Sequence, residues 1–270
     1  MTRIDPAMHV PVVDRPPNTR MPLSAQDFEV LNPPADFEQP DEVTEYFSLT
    51  AASETRLSRK SLHEDELTAP IVLRRVRPTF TIAEVTVSVD FQLDWDQGGL
   101  VIFLGAHPAQ MQSTHRSLRR PYVVVDPRAN RACHKWARVA LEMTAGELGI
   151  STLVANPKCG VDWASTPVFP LHPHHAADGS TPSLRLKLER VGADLWVWFM
   201  VQETQCQAGY VPTPEFVSRQ WRKCREIVSF FDEESMKGDV WIGCYASRPV
   251  ETEPSQDEGL FVEFEDLEIL

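Results

Sequence analysis

Residues 184–201, LRLKLERVGADLWVWFMV, carry the clearest structural signal in the chain. Apolar side chains occupy every second position before and after the short segment Val191–Asp194. Successive side chains of a β-strand point to opposite faces of a sheet, so this alternation predicts two strands that each bury one face. The segment between them predicts a tight turn, and the two strands together predict an antiparallel hairpin.

The same period of two residues recurs along the chain after Phe80. The alternating segments are EVTVSVDFQL (84–93), ARVALEM (137–143), VWIGCYAS (240–247) and GLFVEFEDLEI (259–269). The run GGLVIFLGA (98–106) is typical of a strand buried on both faces. ARVALEM predicts a second hairpin with ELGISTLVAN (147–156), across a turn at Thr144–Gly146.

One helix is predicted, at Glu215–Cys224, because its mostly apolar side chains would share one helical face: Phe216, Val217, Gln220, Trp221 and Cys224. Strands and helices do not alternate along the chain, which disfavours a parallel sheet. The pattern therefore predicts an all-β fold, a two-sheet antiparallel sandwich of the jelly-roll type with this short helix.

The chain is acidic: 26 Lys and Arg stand against 39 Asp and Glu in 270 residues, for a net charge of -13. A field of this sign repels phosphate backbones and anionic lipids, so we expect no nucleic-acid partner and no membrane partner. The N-terminus lacks the apolar segment of a signal peptide, and the five cysteines show no paired spacing. We therefore expect a cytoplasmic protein with free thiols.

The composition divides the chain into a Pro-rich tail, residues 1–27, and a single domain, residues 28–270. A basic loop is inserted in the domain at about residues 106–135. The segment His107–Arg138 contains many Arg and Lys side chains but a single acid, Asp126. Forked Arg contacts suit an anionic ligand. Docking on the chain's own acidic surface or on a second subunit are the alternatives.

Seven blocks of sequence, in this order, resemble one family: LDWDQGGLVIF (93–103), KWARVALEM (135–143), GISTLVAN…DWAS (149–165), LRLKLERVGADLWVWF (184–199), WRKCREIVSFF (221–231), VWIGCYASRP (240–249) and VEFEDLEI (262–269). This is the domain-of-unknown-function family that includes the regulation-of-enolase protein, in the concanavalin A-like lectin/glucanase superfamily. The resemblance spans about residues 28–269 and implies a concanavalin A-like sandwich without a defined activity. The inserted loop between Gly105 and Lys135 departs from the family pattern.

The strand pattern predicts a site on the outer face of one sheet, because aromatic side chains alternate there with core residues. We expect a concave, aromatic-lined face that stacks on a small molecule or a sugar, while polar groups orient the ligand. The predicted ligand-binding residues are Gln97, Trp136, Arg138, Glu142, Trp163, Trp196, Trp198, Trp241 and Tyr245. The alternative is that the helix or the long loops cover these rings as a second small core.

Three further groups of polar residues are weaker candidates. Asp94 and Asp96 precede a strand, where carboxylates cap local amides more often than they bind a ligand or Ca²⁺. The histidines of HPHH (172–175) have no spacing that would orient them around zinc, so we predict no metal. The carboxylates of EFEDLE (263–268) only loosely echo a retaining glucanase, which makes a glycoside hydrolase less favoured. No nucleotide-binding or nucleophile motif is present, so no cofactor is predicted.

Three functions remain open from the sequence. The leading hypothesis is a binding protein for a small molecule or sugar, which the basic loop suggests is anionic. The second is an enzyme without a known motif, such as a cyclase, isomerase or lyase acting on an aromatic or polyketide-like metabolite, with Glu142, Arg138 and Asp162 as catalytic candidates. The third, implied by the family resemblance, is a regulatory protein partner of a metabolic enzyme.

Overall fold

A computed structural model describes residues 27–34, 37–38, 43, 45–61, 64–110, 135–168, 181–204, 217–253 and 258–270. Its strands are β1 (Glu29–Leu31), β2 (Tyr46–Ala51), β3 (Leu57–Ser61), β4 (Glu64–Leu67), β5 (Ile71–Val76), β6 (Ile82–Val89), β7 (Gln97–Gly105), β8 (Lys135–Thr144), β9 (Glu147–Asn156), β10 (Gly160–Pro167), β11 (Ser183–Val191), β12 (Asp194–Thr204), β13 (Val217–Ile227), β14 (Asp239–Ser247) and β15 (Leu260–Ile269). Most of the predicted tail and of the predicted basic loop, and all of HPHH, lie outside the described residues.

Two large antiparallel sheets form a sandwich, as the sequence predicts. The seven-stranded sheet has the order β1-β5-β14-β7-β8-β9-β10, and the six-stranded sheet has the order β13-β12-β11-β6-β15-β2. Both predicted hairpins are confirmed: β11 pairs with β12 and β8 pairs with β9. The third, two-stranded sheet consists of β3 and β4.

The core lies between the two large sheets, because the inward rows of their strands are aliphatic. Val85 and Val87 of β6 face Leu100 and Ile102 of β7, and all four are fully buried. Removing such side chains from water is the main stabilising contribution to the fold. Gly98 permits the close approach of the sheets, since a Cβ there would lie 2.5 Å from a methyl group of Val262.

The predicted helix at Glu215–Cys224 is wrong for its described part, because residues 217–224 belong to β13, which pairs with residues 195–204 of β12. Glu215 and Phe216 lie outside the described residues. A register irregularity opposite Val197 and Trp198 inserts one extra residue in β13. This bulge interrupts the period of two along β13, which hides the strand in the sequence. Helical structure in the described residues is restricted to short turns such as Pro108–Gln110 and Ser235–Lys237, and none of it is long and apolar enough to cross a bilayer.

The β3–β4 hairpin covers part of the outer face of the seven-stranded sheet. Leu57 and Leu67 of the hairpin join a second apolar cluster with Phe103, Trp136 and other sheet residues. Asp65 fixes the hairpin: it accepts a hydrogen bond from Trp136 Nε1 at 3.0 Å and pairs with both Arg59 Nε and Nη2, at 2.7 and 2.9 Å. The sandwich therefore has a second, smaller core outside its first.

We expect Asp65→Ala to lower the free energy of unfolding by about 3–5 kcal/mol, because it leaves the buried Arg59 charge without its carboxylate. Urea denaturation measures the effect. The matched control is Lys60→Ala, which removes an ion pair with Glu66 from a side chain that is 53% exposed, and it should cost about 0–1 kcal/mol. Equal losses in the two variants would show that Asp65 does not anchor the hairpin.

Candidate functional site

The outer face of the seven-stranded sheet, which points away from the six-stranded sheet, carries most of the predicted site residues. On β8, Val139 and Leu141 belong to the main core, so Arg138 and Glu142 point outward. The same alternation turns Tyr245 of β14 outward. These directions follow from the two-residue period of a strand, and they agree with the sequence prediction.

Five side chains on this face form a buried polar network: Gln97, Arg138, Glu142, Ser151 and Tyr245. Tyr245 OH donates to Gln97 Oε1 at 2.8 Å, and Arg138 Nη1 donates to Tyr245 OH at 3.1 Å. Arg138 Nη1 also donates to Ser151 Oγ at 2.9 Å and lies 3.5 Å from Glu142 Oε2. Ser151 Oγ donates to that same carboxylate oxygen at 2.8 Å. No member is more than 6% exposed, so the mutual hydrogen bonds hold the network in one geometry.

Burial raises the pKa of Tyr245 to about 12, and the Glu142 charge acts in the same direction, while Arg138 opposes it. The phenol is therefore neutral at physiological pH and acts as a hydrogen-bond donor to Gln97. A phenol in this state does not serve as a general base near neutral pH. The network therefore holds its hydrogen-bonding side chains in fixed positions, and its tyrosine is not ionised.

Two exposed tryptophan rings meet beside the polar network. Trp95 is 43% exposed and Trp163 is 45% exposed, and their ring centroids lie 6.4 Å apart at an angle of 57°. Trp95 precedes β7 and Trp163 lies on β10, so the rings meet across the intervening strands β8 and β9. Arg138, Glu142 and Ser151 are the outward polar side chains of those strands. We call Trp95 and Trp163 the tryptophan pair.

Trp95 was not among the predicted site residues. The signal that marks it is local: it is a bulky residue with φ of +73° in the turn DWD that precedes a buried strand. This region of backbone space costs a bulky residue about 1–2 kcal/mol. The surrounding structure maintains it, because Trp95 N donates to Met143 O at 2.6 Å and Gln97 Nε2 donates to Trp95 O at 3.2 Å.

The two aspartates that flank Trp95 shape this turn rather than face a ligand. Asp96 is fully buried, accepts hydrogen bonds from Arg248 Nε and Nη2 at 3.0 and 2.9 Å, and also accepts from the Leu93 amide at 3.0 Å. Asp94 Oδ1 accepts from the Gly146 amide at 3.0 Å. The capping interpretation is thus the one that the structure supports for both residues.

The prediction of one continuous aromatic face is wrong, because the rings lie on two sheets. Trp196 and Trp198 belong to β12 of the six-stranded sheet, on the opposite outer face of the sandwich. Trp136, Trp241 and Tyr245 share the predicted face but are 0%, 7% and 0% exposed, and they pack in the same apolar cluster as the β3–β4 hairpin. The physical reason is that these rings make an apolar surface, which the chain covers with its own segment. Of the predicted aromatic set on this face, Trp163 remains open.

Lysine side chains occupy the ring faces on the six-stranded sheet. Lys223 Nζ lies 4.1 Å from the centroid of Trp196. Lys187 Nζ lies 5.0 Å from the centroid of Trp198 and 4.5 Å from that of Trp221. These are cation–π distances, and the aliphatic parts of the lysines also cover the rings. The arrangement accounts for these half-buried tryptophans without a ligand.

Asp162 does not join Arg138 and Glu142, so the three predicted catalytic candidates do not form one site. Asp162 pairs in register with the core residue Val154, and its carboxylate forms an ion pair with Arg225 at the edge between the sheets. Neighbouring residues of a strand face opposite ways, which separates Asp162 from Trp163. The sequence placed them together because they are adjacent in the chain.

The described ends of the basic loop contact acidic groups of the same chain. Lys135 Nζ pairs with Asp232 Oδ2 at 2.9 Å, and His107 Nε2 lies 3.0 Å from Glu29 Oε2. Glu263 accepts a hydrogen bond from Tyr46 OH at 2.7 Å on the other sheet, so it takes no part in this site. In the described ranges, no group of three or more His, Cys, Asp or Glu side chains is placed to hold a metal ion.

We expect Tyr245→Phe to flatten the alkaline stability profile. The folded pKa lies above the unfolded value of 10.0, so the wild-type phenol contributes stability that is complete below pH 10 and is lost as the pH rises toward 12. The loss over that window is about 2–3 kcal/mol, and the variant lacks it. Urea denaturation between pH 8 and 12 measures the difference, and Tyr46→Phe, at a phenol that is 46% exposed, should retain most of the wild-type slope. A wild-type slope in Tyr245→Phe would contradict the assignment.

The profile of the family described as "Protein of unknown function (DUF1349)" matches residues 30–270. An uncharacterized protein of Emericella nidulans, AN7484, is 25% identical over 204 residues, which are 75% of this chain and 77% of that protein.

Two solved structures show weaker likeness. The GH43 protein BlXynB from Bacillus licheniformis has a TM-score of 0.47 and 12% identity, over 83% of this chain and 32% of that one. A legume lectin-like domain from Entamoeba histolytica has a TM-score of 0.41 and 11% identity, over 93% and 94%. This chain thus spans about a third of the GH43 protein. The family match, which covers nearly all of the described sandwich, shows that the chain belongs to the DUF1349 family of proteins of unknown function.

Proposed function

We propose that this protein binds a carbohydrate at the tryptophan pair, Trp95 and Trp163. The observation that carries the proposal is that two large indole rings from separate elements are each more than 40% exposed and lie in contact beside a buried polar network. Large aromatic side chains bury 150–250 Å² each when they are covered, so a ligand that covers an exposed pair removes much apolar surface from water.

The chemistry of the pair suits a sugar. A pyranose ring has an apolar face of C–H groups that packs on an indole, and its hydroxyls hydrogen-bond to polar groups nearby. The two rings are inclined at 57°, so they form a corner that contacts a sugar from two sides. This geometry favours one sugar unit held at the corner over a chain laid along a flat surface.

The site is supported by rigid elements. Trp163 lies on β10, which pairs with β9 over residues 160–167. Trp95 lies in the turn that Asp96 and Arg248 hold from below, with side chains 0% and 1% exposed. Groups fixed before binding lose little conformational entropy when the ligand arrives. The support therefore fixes the backbone that carries the two rings, while the exposed rings themselves can change rotamer.

The other functions stay predictions. Catalysis by Glu142, Arg138 and Asp162 together has no support from their positions, since Asp162 lies at the edge between the sheets. Regulation of a metabolic enzyme and a cytoplasmic location are untested. Sugar binding rests on the exposed pair alone, and substitution of either ring tests it directly.

We expect Trp163→Ala and Trp95→Ala each to raise the dissociation constant for a bound oligosaccharide at least tenfold, or about 1.4 kcal/mol. Calorimetry and the indole signals in NMR measure binding to cellotetraose, xylotetraose, mannotetraose and acidic oligosaccharides. Trp198→Ala, on the other sheet, is the matched control and should leave affinity unchanged. If no saccharide binds at millimolar concentration, or if Trp198→Ala weakens binding as much as Trp163→Ala, the proposal fails.

A further inference from the structure

Arg138 uses only one side of its guanidinium group within the polar network. Its contacts to Ser151, Tyr245 and Glu142 all involve Nη1, at 2.9, 3.1 and 3.5 Å. Its Nε is buried and has no hydrogen-bond partner among the described residues. A guanidinium presents donors in fixed pairs, and the pair that includes Nε is the one that commonly binds a carboxylate in a fork.

An unpartnered donor on a buried charged group is costly, because burial removes water without a replacement. The penalty is larger for charged groups than for neutral ones. The other polar groups of the network have partners: Tyr245 OH donates to Gln97, and Glu142 accepts from Ser151 and from Thr144 Oγ1. Arg138 Nε is therefore the exception, and such exceptions call for a specific explanation.

The sheet register places this donor beside the tryptophan pair. Arg138 of β8 pairs with Leu153 of β9, and Leu153 pairs with Trp163 of β10. Residues opposite one another in a sheet point to the same face, and adjacent strands lie about 4.8 Å apart. Trp163 and Arg138 thus stand in one row, about 10 Å apart at the backbone. To reach Arg138, a sugar unit stacked on Trp163 extends across the position of Leu153.

We infer that the ligand is an acidic sugar, a uronic acid unit whose carboxylate binds the Nε side of Arg138 while its ring packs on the tryptophan pair. This inference rests on the proposed sugar site. Among the described residues, Glu142 is the single carboxylate that pairs with Arg138, at 3.5 Å on the Nη1 side, and its other hydrogen bonds hold it in place. The guanidinium can therefore donate hydrogen bonds to a second carboxylate on its Nε side while it keeps its contact with Glu142.

Arg138 is largely covered, so a carboxylate reaches its Nε only after neighbouring side chains move. Arg138 is 6% exposed, whereas the rings beside it are 43% and 45% exposed. Rotamer changes of exposed side chains occur within nanoseconds, so the rings open without a change in the sheets. Binding of the carboxylate should therefore shift the NMR signals of both Trp95 and Trp163 indoles, whereas a ligand that stays on the surface of one ring shifts that ring alone.

The decisive comparison uses the full wild-type chain and pairs of ligands that differ only in charge. The probes are tetragalacturonate, tetramannuronate and a hyaluronan tetrasaccharide, each as the free acid and as its methyl ester. We expect at least one acid to bind ten times more tightly than its ester. If acids and esters bind equally, the inference about charge is overturned while the sugar site stands. If neither the acids, the esters nor the neutral oligosaccharides bind, the proposed function itself fails.

A variant pair assigns the preference to Arg138. Arg138→Gln combined with Glu142→Gln removes both charges of the buried pair, so neither is left without its partner. We expect this double variant to bind acid and ester with equal affinity, because the charged group that distinguishes them is gone. The control Arg185→Gln removes an arginine that pairs with Glu84 on the six-stranded sheet and should keep the tenfold preference. Preference retained in the double variant would overturn the assignment, and the wild-type comparison decides the ligand class even if that variant does not fold.

A competition experiment with phenylacetate distinguishes acidic sugars from other carboxylates. Phenylacetate has a carboxylate and an apolar ring but no hydroxyls. We expect it not to compete with the bound acidic oligosaccharide at equal concentration. Equal competition would show that the site recognises aromatic carboxylates, and the assignment to uronic acids would be wrong.

Discussion

The seven-stranded sheet has apolar side chains on both faces, and this constraint organises the rest of the molecule. Its central strands β7, β8 and β14 are buried almost from end to end. The six-stranded sheet covers one face, so the other face also needs a cover. The β3–β4 hairpin supplies part of that cover, with Asp65 hydrogen-bonded to Trp136 beneath it. A ligand site on this face can therefore exist only where the hairpin does not reach.

The polar network occupies the same buried face, and its composition explains how charge is tolerated there. Arg138 and Glu142 are 6% and 2% exposed, and burying two charges is favourable only when hydrogen bonds satisfy their remaining groups. Ser151 and Tyr245 provide those bonds, apart from the one on Arg138 Nε. Such a network contributes a fixed arrangement of donors more than it contributes stability. This is the property that recognition of an oriented polar ligand requires.

The six-stranded sheet treats its tryptophans differently. Lys187 and Lys223 lie over the rings of Trp196, Trp198 and Trp221. The lysine side chains therefore occupy the ring faces on which a ligand would stack. Lysines thus cover these rings, whereas Trp95 and Trp163 at the seven-stranded sheet are 43% and 45% exposed.

The sequence alone determined the fold class, the two hairpins and the direction of the outward side chains on β8 and β14. It could do so because strand periodicity is a local property that each segment carries by itself. The prediction of a helix at Glu215–Cys224 was wrong because residues 217–224 pair with β12 as a strand. The bulge in β13 interrupts the two-residue alternation that would have indicated this strand. Local periodicity cannot report a hydrogen-bonded partner that is distant along the chain.

Only the tertiary structure decided which aromatic side chains are open. Outward rings look alike in the sequence, yet Trp136, Trp241 and Tyr245 are covered by the chain itself while Trp163 is not. Trp95 joins Trp163 from a turn more than sixty residues earlier. Exposure depends on what packs against a side chain from other parts of the chain, and only the assembled sheets bring those parts together.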